Sequence, residues 1–162
     1  MALVEGVATV TDVGAFVATL ADIEDETGAT VQAFDARYVV GEEHLAFALE
    51  LADRERERGH AIARDRGMEV LLYAAGRRQI DRALTMGVAA GETPVVVLVD
   101  GGDEAAAVAA VEDLLTPAET LGAYDEDRVC DYFGISETER EATAAPLGAL
   151  VRERVALLVV ER

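Results

Sequence analysis

Along the chain, hydrophobic and polar positions fall into short blocks whose period switches between that of a strand and that of a helix. Residues 3–10 predict a strand, and 13–23 a helix with Phe16, Val17 and Leu20 on one face. A short strand at 31–34 turns through Asp35, Ala36 and Arg37 into Tyr38, Val39 and Val40. Residues 42–58 predict a long helix closed by Gly59. Leu45, Ala48, Leu49 and Ala52 recur at helical spacing, so its first half is expected inside the domain. Its second half, 53–58, alternates acid and arginine and is expected as a solvated tip. Residues 68–75 are apolar nearly all round, which predicts an interior helix. Gly76, Arg77 and Arg78 interrupt it, and 79–86 predicts a short helix with Ile80, Ala83 and Leu84 inward.

Pro94 opens a strand through Val99, and 103–115 predicts an alanine-rich helix stopped before Thr116 and Pro117. Two small helices are expected at 125–133 and after Ser136, where Glu139 completes a capping box. Pro146 opens a last helix to Arg152, and the apolar run 155–160 predicts a closing strand. With no repeat and no linker, the pattern predicts one α+β domain over 1–162. It should have two layers, with about four strands in a sheet and several helices.

Composition agrees with a folded globule: 162 residues, of which 51% are apolar, can bury one core without staples. The apolar runs at 95–99 and 155–160 are far too short to span a bilayer, so no membrane role is expected. The first residues lack the basic flank and apolar core of a signal peptide. Cys130 is the single cysteine and has no internal disulfide partner, which fits a reducing, cytoplasmic setting.

Charge changes the picture more. Thirty-two acids face fourteen bases, all of them arginine, for a net charge of −18. Such a balance ordinarily opposes nucleic-acid binding, because phosphate contacts need positive surface. Acid excess without lysine is also the composition expected of a halophile. In molar salt the Debye length is about 3 Å, so the global field is screened within a shell of ions. Under the habitat reading, net charge says little about partners and local arginine placement must be judged by itself. The other reading is a charge-repelled acidic adaptor.

No set of residues points to catalysis. His44 and His60 are the only histidines, and no cluster supplies the three or four convergent ligands of a zinc site. His44 falls in the buried half of a helix, where a core histidine with a backbone partner is expected. The Val99-Asp100-Gly101-Gly102-Asp103 turn resembles a phosphate-binding loop in outline only. Its acids would repel phosphate, and a plain turn with Asp103 as N-cap explains the same residues. Neither cofactor nor metal is expected.

One segment stands apart. Arg64, Arg66, Arg77 and Arg78 bracket the helix at 68–75, four of the fourteen bases at its two ends. Two of them flank a helix break, an arrangement that favours an anion; pairing of Arg77 and Arg78 with surface acids is the plainer reading. The run Met68-Glu69-Val70-Leu71-Leu72-Tyr73-Ala74-Ala75-Gly76-Arg77-Arg78-Gln79-Ile80 resembles the E-[IV]-L-L-x-x-[SA]-G-x-R-Q-I motif of the small accessory subunit of the KEOPS tRNA-modifying complex, the PRPK-binding family. Residues 34–40, the start of the helix at Glu43, Ile62-Ala63 and 151–160 are similar to neighbouring parts of that family. Ala75 stands where serine is common, and 118–145 matches only loosely.

The resemblance implies a non-catalytic subunit. KEOPS places the threonylcarbamoyl group on the tRNA adenosine next to the anticodon, through a catalytic subunit, a Rio-like kinase acting as an ATPase, and a dimerising subunit. The small subunit would bind the kinase and capture the unpaired 3′ CCA end of tRNA. Arg64, Gly76, Arg77, Arg78, Gln79 and Ile80 are then the expected tRNA-binding residues, and Leu157 and Val159 the expected partner-binding ones. Single-stranded ends are held by stacking and a few cations, which an acidic protein can supply locally. Two other readings stay open: a kinase-binding regulatory adaptor without RNA contact, and a small enzyme built on a carboxylate pair.

Overall fold

The computed structural model describes residues 1–160. Its sheet has four antiparallel strands in the order β2-β3-β1-β4. β1 (Ala2–Val10) and β3 (Gly91–Asp100) pair along their whole lengths, with Ala2 opposite Val99 and Val10 opposite Gly91. β2 (Thr30–Asp35) flanks β3 on its other side, with Thr30 opposite Asp100. β4 (Thr116–Pro117) adds only two residues, beside Gly6 and Val7 of β1. Gly6 permits that approach: a Cβ there would stand 2.8 Å from the Thr116 carbonyl oxygen.

The α+β class stands, but helices cover both faces of the sheet instead of one. The reason lies in β3, where Val95 to Val99 are apolar at every position, so both of its faces need cover. Val95, Val97 and Val99 pack beneath α1 (Val13–Thr27) and α5 (Glu104–Glu112), with Leu20, Ile23, Ala107 and Val111. Val96 and Leu98 face the larger core built by α2 (Glu42–Glu57), α3 (Arg66–Ala75), α6 (Glu126–Phe133) and α8 (Leu147–Val160). Two short helices, α4 (Ile80–Ala83) and α7 (Glu137–Ala142), complete the chain.

Local signals set the helix ends. Asp65 caps α3 by accepting from the Met68 N–H at 2.8 Å, and Ser136 caps α7 by accepting from Glu139 at 3.0 Å. Asp103 caps α5 through Ala106, and the Glu104 carboxylate takes the Gly101 N–H at 3.0 Å. The turn that resembled a phosphate loop thus satisfies itself with its own acids.

Four expectations are corrected. The apolar run 155–160 is no strand but the second half of α8. Leu147, Leu150, Val151, Val155 and Leu158 are its buried positions, a helical spacing that carries through the run and turns Leu157 outward. The tip of α2 is not wholly solvated, because Glu55 is fully buried with Arg54, Arg58 and His60 within ion-pair reach. Ile80 and Leu84 do not point inward; they are 47% and 50% exposed, while Ala83 is buried. On α1, Val17 is likewise turned to solvent and Leu20 inward.

Candidate functional site

α3 is the axis from which the site is built. At its start, the Arg66 guanidinium bonds Asp53 of α2 and Asp100 of β3, each at 2.7 Å, and Thr30 of β2 at 3.1 Å. The bond to Asp53 outweighs burial and, with Asp100, raises the Arg66 pKa above the ordinary arginine value. Burial works against the Asp100 carboxylate, yet Arg66 and the N-terminal ammonium together hold it below the usual range. Arg66 is therefore committed to a structural clamp. Inside α3, Glu69 is fully buried and accepts from the Ile62 and Ala63 N–H groups at 3.0 and 3.2 Å. Arg56 approaches the same carboxylate at 3.7 Å, so the acid on this apolar helix holds the preceding loop in place.

At its other end α3 stops at Gly76, whose φ of 62° is the left-handed conformation that glycine adopts without cost. A Cβ there would stand 3.3 Å from the Arg154 carbonyl oxygen of α8. The chain then enters Arg77, Arg78 and Gln79, which stands at the N-cap position of α4 without a side-chain bond to the helix. Arg77 lies over the Tyr132 ring, 4.4 Å from its centroid, and donates to the Tyr132 carbonyl oxygen. Burial raises the Tyr132 pKa, and the Arg77 charge works in the opposite direction. The Tyr132 hydroxyl donates to the Arg82 carbonyl oxygen at 2.7 Å, joining α6 to α4. Arg78 donates to the Leu158 carbonyl oxygen of α8 at 3.2 Å.

Gly76, Arg77, Arg78, Gln79, Arg82 and Leu158 line one open cleft of about 410 Å³. No acid is among these lining residues. Among the described residues, Arg77, Arg78 and Arg82 make no ion pair, whereas eight of the other arginines do. Three unneutralised guanidinium groups converge here in a chain of net charge −18. Chemically, such a cleft offers fork-shaped donors to phosphate oxygens and planar cations to aromatic bases.

Of the residues expected to act together, Gly76, Arg77, Arg78 and Gln79 share the cleft, and Ile80 is exposed beside it. Arg64 does not join them. It lies at the opposite end of α3, roughly 15 Å away for a ten-residue helix. Arg82 completes the cluster; the sequence reading left it out, although it follows Arg78 by only four positions. The Arg77–Tyr132 contact had no signal, since 55 positions separate the partners. Leu157 is 43% exposed on α8, while Val159 is half-buried against the core. Among the described residues, no group of three His, Cys, Asp or Glu side chains could hold a metal ion.

The family model described as kinase binding protein CGI-121 matches residues 8–158. The chain belongs to that family. No curated protein matches it. As a member of the kinase-binding family it has the α3–Gly76–α4 corner and α8 up to Leu158 within the matched span, so both parts of the site belong to the shared domain. Among its described residues, no helix is long and apolar enough to cross a membrane.

Proposed function

We propose that this chain is the non-catalytic, cytoplasmic subunit of a KEOPS complex that binds the Rio-like kinase and receives the unpaired 3′ CCA end of tRNA in the arginine cleft. The observation that carries the reading is the convergence of Arg77, Arg78 and Arg82 on a cleft without a carboxylate. No carboxylate in the cleft offsets the three charges, which leaves them free to attract an anion. A single-stranded end gains phosphate contacts and planar cations to stack on.

The kinase would meet the outer face of α8, where Leu157 is exposed, over a standard interface of roughly 1,200–2,000 Å². The Arg78 bond to Leu158 ties the cleft to that helix, so tRNA and kinase would bind to neighbouring, mechanically linked surfaces. The catalytic and dimerising subunits would be reached through the kinase.

One observation favours the second reading, a kinase-binding adaptor without RNA contact. Arg77 and Arg78 each spend a donor on a protein carbonyl, so both brace the corner whether or not RNA binds. Arg82 separates the readings, because its guanidinium makes no ion pair and lines the cleft. Arg82→Glu should weaken tRNA binding at least tenfold, measured by filter binding, and leave kinase binding by gel filtration unchanged. Full tRNA binding by this variant would give the adaptor reading the case.

A further inference from the structure

Apart from the arginine cleft, apolar surface, edge backbone groups held only by side chains and carboxylates without ion pairs meet at the outer edge of β2. This strand ends the sheet, so one side of it has no neighbouring strand. The Val31 N–H points to that side and donates to Glu24 Oε2 of α1 at 3.0 Å. By strand alternation Ala33 faces the same way, and its carbonyl oxygen accepts from the Gln32 side-chain amide at 3.0 Å. Two side chains thus stand where a further strand would place its main chain, the usual protection of a sheet edge.

Along this edge, between α1 and α3, runs a mostly apolar cleft of about 250 Å³. Val31, Ala33 and Leu20 belong to its lining, and its rim carries Val17 and Leu84, 52% and 50% exposed. Glu24 and Asp65 line it as well, and among the described residues neither makes an ion pair. Burial raises the Glu24 pKa, the Val31 N–H opposes this, and the negative charges of Asp65 and Asp25 add to it.

These features select the occupant. An extended segment matches the alternating edge groups, as in strand addition to an open sheet. An apolar side chain fills the cleft and covers Val17 and Leu84. A second copy is a poor occupant, since each copy would bring the same two carboxylates to the contact. We propose that the β2 edge and the α1–α3 cleft form a docking site for an extended segment of a protein partner, one bearing an apolar side chain for the cleft and a lysine or arginine for Glu24 and Asp65. The segment's main chain replaces the Glu24 and Gln32 contacts, and the released Glu24 carboxylate pairs with its base. The site shares no residue with the arginine cleft, so the tRNA reading and this one fail separately.

The test is selection of a random dodecapeptide display library on the whole chain, at an ionic strength where it holds its fold, followed by affinity measurements on Val17→Asp and Glu24→Gln. Both variants should fold, because Val17 is exposed and the amide oxygen introduced by Glu24→Gln can still accept the Val31 N–H. The expected result is enrichment of apolar sequences carrying lysine or arginine. Their affinity should fall at least tenfold on Val17→Asp, and their preference for a basic over a neutral residue should shrink on Glu24→Gln, with Asp65 keeping the remainder. Absence of enrichment, acidic consensus sequences, or equal binding to Val17→Asp would overturn the proposal. Concentration-dependent dimerisation abolished by Val17→Asp would also overturn it, giving the face to a second copy.

Discussion

His44 shows how much a single interior residue can set. Its Nδ1 accepts from the Val40 N–H at 3.2 Å, which leaves Nε2 protonated to donate to the Ala74 carbonyl oxygen at 2.8 Å. One neutral tautomer therefore joins the start of α2 to the end of α3, just before Gly76. Burial lowers its pKa from 6.5 to about 4, with the Ala74 carbonyl acting against the shift and Arg152 adding to it. The folded state thus resists protonation that the unfolded chain accepts. Its contribution is complete above pH 6.5 and drains away as pH falls toward about 4, a loss of roughly 3 kcal/mol at 1.36 kcal/mol per unit. Urea midpoints between pH 7 and 4 should fall more steeply for the native chain than for His44→Gln; parallel slopes would contradict this. Glu69 makes the matching case for a buried acid. Glu69→Ala leaves the Ile62 and Ala63 N–H groups without their acceptor and should cost about 2–3 kcal/mol of unfolding free energy, read from the urea midpoint.

At the scale of elements, the corner between α3, α4 and α8 depends on one glycine. Gly76→Ala would force a side chain into the left-handed region and against the Arg154 carbonyl oxygen. It should lower stability by about 1–2 kcal/mol, seen as a lower thermal midpoint, and loosen the cleft with it. This corner was largely legible in the sequence because its signals are local. The break at Gly76 and the arginines that follow it act within a few residues of where they are read. The second half of α8 was not legible in the same way. Residues 155–160 contain no polar position, so strand and helix periods fit them equally, and only continuity with Leu147, Leu150 and Val151 decides. Ile80 and Leu84 depart from expectation for a related reason: α4 is four residues long and passes into a 3₁₀ turn at Leu84–Met86, which rotates the apolar face outward. The contacts from Arg77 to Tyr132 and from Arg78 to Leu158 span 55 and 80 positions, and only the folded chain brings them together.

For the whole molecule, the proposed tRNA capture has to work in a chain of net charge −18. The fold gathers three arginines without ion pairs in one acid-free cleft, so attraction would be local, while global repulsion would be screened in molar salt. Few phosphates can be engaged there, and the logarithm of affinity should fall with the logarithm of salt by only about 0.7 for each one. Stacking, worth about 1–3 kcal/mol per base, should persist in molar salt. The most direct measurement compares one tRNA with and without its terminal CCA, titrated against the isolated chain in molar salt. Removing CCA should weaken binding at least tenfold, as Arg82→Glu should, and the two losses should not add. Equal affinity for the two tRNAs would contradict capture of the 3′ end in the arginine cleft.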